Sequence, residues 1–184
     1  MGFGLLILGL LMWAGAHFFK RVAPDRRAGM GDAGKGVVTG LLVVSIILMV
    51  LGYRAAPFLP VWSPPSFFTH INNLLMVLAI FMLSPAPKRG LVLNKVRHPM
   101  LIGFKTWAVS HLLVNGDVAS ILLFGGLLAW AVASVIVINK SEPDWAPRPA
   151  GTYAKDAMFL GGSVVLLVII GGIHGWIGPW PFGG

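Results

Sequence analysis

Cysteine is absent from all 184 residues. Without thiols the chain can form no disulfide, no iron–sulfur cluster, no thiolate metal site and no covalent c-type haem link, which needs a Cys-x-x-Cys-His run. Acidic residues are nearly as scarce, six against fourteen lysines and arginines, and only 11% of the chain is charged. The six, Asp25, Asp32, Asp117, Glu142, Asp144 and Asp156, all fall in loops or at the ends of apolar runs. Ion-coupled transporters and proton pumps place a carboxylate inside the bundle, and carboxylate-bridged metal sites need several. Neither function is supported. Polar surface as a whole is lacking: 57% of the residues are hydrophobic, more than a soluble domain of this size can cover.

What fills the chain instead is long apolar runs. Membrane-spanning helices need about 17–25 such residues, and six stretches qualify: 2–19, 36–56, 67–84, 98–115, 118–139 and 157–178. The expected fold is therefore all-α, a polytopic integral membrane helix bundle of about six transmembrane helices forming one domain over 1–184. The first run carries Ala14-Gly15-Ala16, a small-x-small pattern, but it has no basic leader and its positive charges follow it. It reads as a retained helix rather than a signal peptide.

The basic residues orient the bundle. Lys20, Arg21, Arg26, Arg27 and Lys35 follow run 1, Lys88, Arg89, Lys95 and Arg97 follow run 3, and Lys140, Arg148 and Lys155 follow run 5. The opposite loops hold only Arg54. Short Lys/Arg-rich loops stay in the cytoplasm, so both termini are expected on the non-cytoplasmic side. The net charge of +8 is then a topology signal and not a nucleic-acid footprint. Trp62, Trp176 and Trp180 suit an interfacial belt. Gly36-x-x-x-Gly40 and Gly171-x-x-x-Gly175 have the spacing at which helices approach closely. Asp117, after an Asn115-Gly116 turn, reads as the N-cap of the fifth helix.

Five histidines remain: His17, His70, His98, His111 and His174. With thiolates and intramembrane carboxylates excluded, imidazole is the one strong metal ligand in the bilayer. Two neutral histidines are what six-coordinate b-type haem needs, and an apolar slot between helices suits a porphyrin. In "RHPMLIGFKTWAVSHLLVNGD", residues 97–117, His98 and Lys105 are seven apart and share a helical face. His111 lies on roughly the opposite face, with Trp107 and Asn115 one turn to either side. It also lies about 20 Å further out than His98.

That segment, with "GYRAAPFLPVW", "HINNLLMVLA" and "AHFFKRVAP", resembles the NnrU family of bacterial membrane proteins over nearly the whole chain. The resemblance implies an association with denitrification clusters that handle nitrite and nitric oxide. The pattern is also similar to the 15-cis-zeta-carotene isomerase family, Z-ISO, whose members use haem b held by a helix-1 histidine and the histidine that follows Arg-His-Pro. Carried across by motif, the implied axial ligands are His17 and His111, and Arg97, His98 or Lys105 would meet a propionate or cofactor phosphate. Gly52-Tyr53 stand where that isomerase has a further histidine. By depth, His70 matches His111 better than His17 does, and it stays the alternative partner.

The leading expectation is thus an inner-membrane, multi-pass protein of NnrU type. It binds b-type haem and acts in redox or nitrogen-oxide metabolism, or in isomerising a hydrophobic, carotenoid-like substrate. With no soluble donor motif, its electrons would come from quinone or a partner. The second reading is a non-catalytic accessory or assembly subunit of a larger membrane complex. A third is an S-adenosylmethionine-dependent membrane methyltransferase, since the isoprenylcysteine carboxyl type opens a cofactor-binding helix with a similar Arg-His-Pro. Glu142, Arg148 and Tyr153 do not reproduce the spacing of that family's later motif.

Overall fold

The structure, a computed structural model, describes residues 1–183. It is helical throughout: α1 (Gly2–Val22), α2 (Pro24–Gly29), α3 (Ala33–Ala55), α4 (Phe68–Leu83), α5 (Ala86–Arg89), α6 (Pro99–Val114), α7 (Val118–Ser141) and α8 (Tyr153–Ile177). Four helices, α1, α3, α7 and α8, are long and apolar enough to cross a membrane, and α4 and α6 are shorter apolar helices. The chain is a multi-pass membrane protein. Its six long helices follow the six apolar runs closely, and α1 continues past Lys20 and Arg21 to Val22. That extension sets His17 more than a turn inside the helix end.

Local chemistry sets the boundaries. Pro99 occupies the first turn of α6, where a missing N–H costs nothing. Thr152 caps α8 by accepting from the Lys155 amide at 3.3 Å. α3 and α4 stop at Ala56 and Ser84, both in extended conformation immediately before Pro57 and Pro85, because a proline drives its predecessor out of the helical region.

The backbone divides into two compact units, the first being Met1–Trp62 with Gly116–Trp130 and the second Ser63–Asn115 with Ala131–Gly184. In the first unit, Gly2, Leu6 and Gly9 of α1 and Ser45, Met49 and Gly52 of α3 are all buried. The spacing of four then three puts each set on one helical face. The two faces form the seam between α1 and α3: added carbon at Gly52 would sit 2.3 Å from the Leu6 amide nitrogen, and at Gly9 2.9 Å from that of Met49. Small residues let two backbones approach this closely where no aqueous hydrophobic effect drives helices together. At the end of this unit the chain returns on itself. The Gly116 carbonyl accepts from the Val61 amide at 2.7 Å and the Trp62 amide at 3.1 Å, and the Val118 amide donates to Leu59 at 3.0 Å. Asp117 caps α7 as expected, its Oδ1 accepting from the Ser120 amide at 3.0 Å. Its other oxygen accepts from the Ser120 hydroxyl, which in turn meets the Tyr53 hydroxyl at 2.9 Å.

In the second unit α4 packs on α6 and α8. Gly103 makes the close approach, its α-carbon facing the Ala79 carbonyl, Met82 and Leu83. A small core of Phe81, Ala86 and Leu93, with Met82, Val96 and Phe159 against it, roots the 84–98 loop. The two Gly-x-x-x-Gly pairs do not join helices. Gly36 and Gly40 face open space, while Gly171 and Gly175 receive the rings of Phe182 and Trp180. The segment "GPWPFG", residues 178–183, thus folds back onto α8, and its aromatic rings need the room that two missing side chains leave.

Candidate functional site

His17 sits on α1 in an aromatic clasp. Its ring centroid lies 4.3 Å from that of Trp13 and 4.5 Å from that of Trp130, and the two indoles meet edge-on at 5.3 Å. The contact to Trp130 joins α1 to α7 within the first unit. Nδ1 of His17 lies 2.9 Å from the Trp13 carbonyl oxygen. A carbonyl only accepts, so Nδ1 carries the proton and Nε2 is left with its lone pair. A metal-ligating histidine takes this arrangement, with one nitrogen anchored to an acceptor and the other turned out.

The other four histidines lie in the second unit. His111 ends an aromatic ladder along α6: Phe104 to Trp107 at 5.1 Å, then Trp107 to His111 at 5.1 Å, edge-on. Positions 104, 107 and 111 fall on one face at helical spacing. Asn115 donates from Nδ2 to the His111 backbone carbonyl at 2.8 Å, so it caps the helix end. His70 lies in the first turn of α4 and is exposed. Lys105 is half-buried on α6. It stands six residues from His111, about 9 Å along the axis, whereas Arg97 is fourteen residues away, about 21 Å.

His174 is a residue that reasoning from the sequence passed over. Its Nδ1 donates to the Pro179 carbonyl at 2.8 Å, repeating the tautomer of His17. The signal existed only in three dimensions, since the Gly178-Pro179 turn that brings the carbonyl back is a property of the folded tail. Among the described residues no group of three or more His, Asp or Glu side chains gathers in a way that would hold a metal ion.

At the other end of the second unit, the loops 84–98 and 142–152 are sewn together. Asp156, buried in the first turn of α8, accepts through Oδ2 from the amides of Leu91 at 2.7 Å and Val92 at 3.1 Å. Arg148 donates to the carbonyls of Val96 at 2.7 Å and Arg97 at 3.4 Å. Its own amide and carbonyl pair with Asn94, and the Gly151 amide donates to Gly90 at 3.1 Å. Arg97 donates to the Glu142 carbonyl. His98 is held by Asn139 of α7, whose amide oxygen accepts from Nε2 at 2.8 Å. Beside these contacts lies a cavity of about 430 Å³, whose lining includes Lys88, Arg97, His98 and Arg148 together with Leu83 and Met100.

The structure thus brings Arg97 and His98 together at one end of the second unit, sets His111 with its ladder at the far end of α6, and holds His17 in the first unit. No curated protein and no solved structure matches the chain. The NnrU protein family matches residues 5–181, nearly the whole length, and the chain belongs to that family.

Proposed function

We propose that this NnrU-family chain binds b-type haem within the bilayer, with His17 and His111 as the imidazoles that would each be able to hold it. One observation carries the reading: His17 is anchored through Nδ1 to the Trp13 carbonyl at 2.9 Å and walled by Trp13 and Trp130, so Nε2 is oriented and the surroundings are apolar. His111 offers a second imidazole beside Trp107 in another apolar helix. Each imidazole stands against flat aromatic rings, surroundings that suit a porphyrin, and the lack of cysteine accords with a non-covalent haem. If held there, haem b would supply one-electron exchange with quinone, a partner subunit or a small nitrogen oxide.

The protein's own residues do the rest. The Trp13 carbonyl fixes the tautomer of His17, and the indoles of Trp13 and Trp130 pack against its ring; Lys105, on roughly the opposite face of α6 from His111, is turned away from that imidazole. The redox or nitrogen-oxide role follows the family context, and isomerisation of a hydrophobic substrate would use the same apolar surroundings. We place the chain in the bacterial inner membrane with six crossings, α4 and α6 included, and both termini outside, on the strength of the basic loops.

The test is the absorption spectrum of protein purified in mild detergent. The wild type is expected to show a Soret band with a low-spin, six-coordinate signature. Replacing either His111 or His17 by Ala should abolish or convert it, while His98→Ala should leave it unchanged. A normal spectrum in His17→Ala with loss in His174→Ala would transfer the second ligand to His174. A protein without haem after expression with haem precursor overturns the reading.

A further inference from the structure

The cavity between the 84–98 and 142–152 loops has a composition that the haem reading does not use. Its polar side presents two guanidiniums, Arg97 and Arg148, one ammonium, Lys88, and the imidazole of His98, and no acidic residue lines it. The guanidiniums are held by backbone carbonyls of Glu142, Val96 and Arg97, which orient the cations. His98 is fixed by Asn139 at 2.8 Å. The cations are therefore pre-positioned by bonds that would otherwise satisfy only loop carbonyls.

The lining also includes the exposed apolar side chains Leu83 and Met100, at the end of α4 and the start of α6, where two apolar helices meet the basic loops. Lined by both cations and apolar side chains and about 430 Å³ in volume, the space complements an anionic headgroup carrying an acyl chain. Basic pockets between helices at the membrane surface take lipid phosphates in this way, and arginine forks match phosphate oxygens two at a time.

We infer that this cavity is a binding site for the phosphate headgroup of an anionic membrane phospholipid, with Lys88 and Arg97 as its principal phosphate contacts and Arg148 as the residue that shapes it. The site is separate from the histidines proposed to hold haem.

The experiment uses the full chain in mild detergent, titrated with short-chain phosphatidylglycerol, short-chain phosphatidylcholine and inorganic phosphate in parallel, with binding read by native mass spectrometry. Saturable binding of phosphatidylglycerol, preferred over phosphatidylcholine, is expected. Lys88→Gln and Arg97→Gln should each weaken it about fivefold, near 1 kcal/mol per basic residue at a membrane surface, and together more than tenfold. Lys20→Gln, in the other unit, should bind as the wild type. Because Lys88 is exposed on a short surface helix, its variant keeps the proposal falsifiable if Arg97→Gln fails to fold. Inorganic phosphate binding as tightly as the lipid would overturn the lipid assignment in favour of a free anion. Equal binding of the two lipids, or no loss in Lys88→Gln, would overturn the site.

Discussion

Replacing Gly52 by Ala adds one methyl group at the tightest point of the α1–α3 seam. That carbon would lie 2.3 Å from the Leu6 amide nitrogen, 2.8 Å from Leu6 Cα and 2.9 Å from the Gly2 carbonyl oxygen. All three are backbone atoms, so no rotamer change can make room. Ordinary contact is about 3.5–4.0 Å, and α1 must therefore withdraw by roughly 1 Å. Overpacking of this kind costs about 1–3 kcal/mol. The better helix propensity of Ala returns somewhat under 1 kcal/mol, leaving a net loss of about 1–2 kcal/mol. At about 2–4 °C per kcal/mol for a chain of this length, the expected fall in Tm is about 2–8 °C. Thermal unfolding in detergent, followed by the native tryptophans, measures it. Gly36→Ala is the control, because nothing lies within 4 Å of its added carbon, and it should hold or slightly raise Tm. A Gly52→Ala protein that melts with the wild type, or no lower than Gly36→Ala, refutes the close seam.

Asp117→Ala removes the α7 cap and strands the Ser120 hydroxyl, and should cost about 1–2 kcal/mol, whereas Asp117→Asn keeps an acceptor and most of the stability in the same melt. Asp156→Ala leaves the Leu91 and Val92 amides without their buried acceptor, about 1–3 kcal/mol each; hydrogen exchange should accelerate at those two amides ahead of the α6 interior, and unchanged protection there would contradict the stitched loops. An alkaline phosphatase fusion after Gly184 should be active, as expected for an external C-terminus, and an inactive fusion that is stably expressed would mean an odd number of crossings.

The helices were legible because each is a near-continuous apolar run, and runs of that length have one fate in a bilayer. The Asp117 cap was legible for the same kind of reason: its partner, Ser120, is three residues away. The partners in the seam were not. The sequence marks Gly36-x-x-x-Gly40 as a small-residue face, yet α3 turns Ser45, Met49 and Gly52 toward α1, since spacing identifies faces and not which of them meets a neighbour. The candidate site divides in the same way. His17 and His111 stand out as polar groups in apolar runs, but the Trp130 wall of His17 is supplied from more than a hundred residues away. The bonds of Asp156 and Arg148 to the 90–97 loop join segments more than fifty residues apart and use main-chain atoms, on which side-chain identity leaves no trace.

The shortness of α4 and α6 bears on the lipid around them. Sixteen residues each rise only about 24 Å, against a hydrocarbon core of about 30 Å. With α4 and α6 crossing the membrane as proposed, a shortfall of about 6 Å would make the surrounding bilayer pinch inward beside them, at a cost of a fraction of a kcal/mol per ångström. Such a hydrophobic mismatch gives the protein a thickness preference: it should partition into thinner membrane regions and be favoured by shorter acyl chains. It would also draw the interfacial water and headgroups closer to the middle of the bilayer beside these two helices.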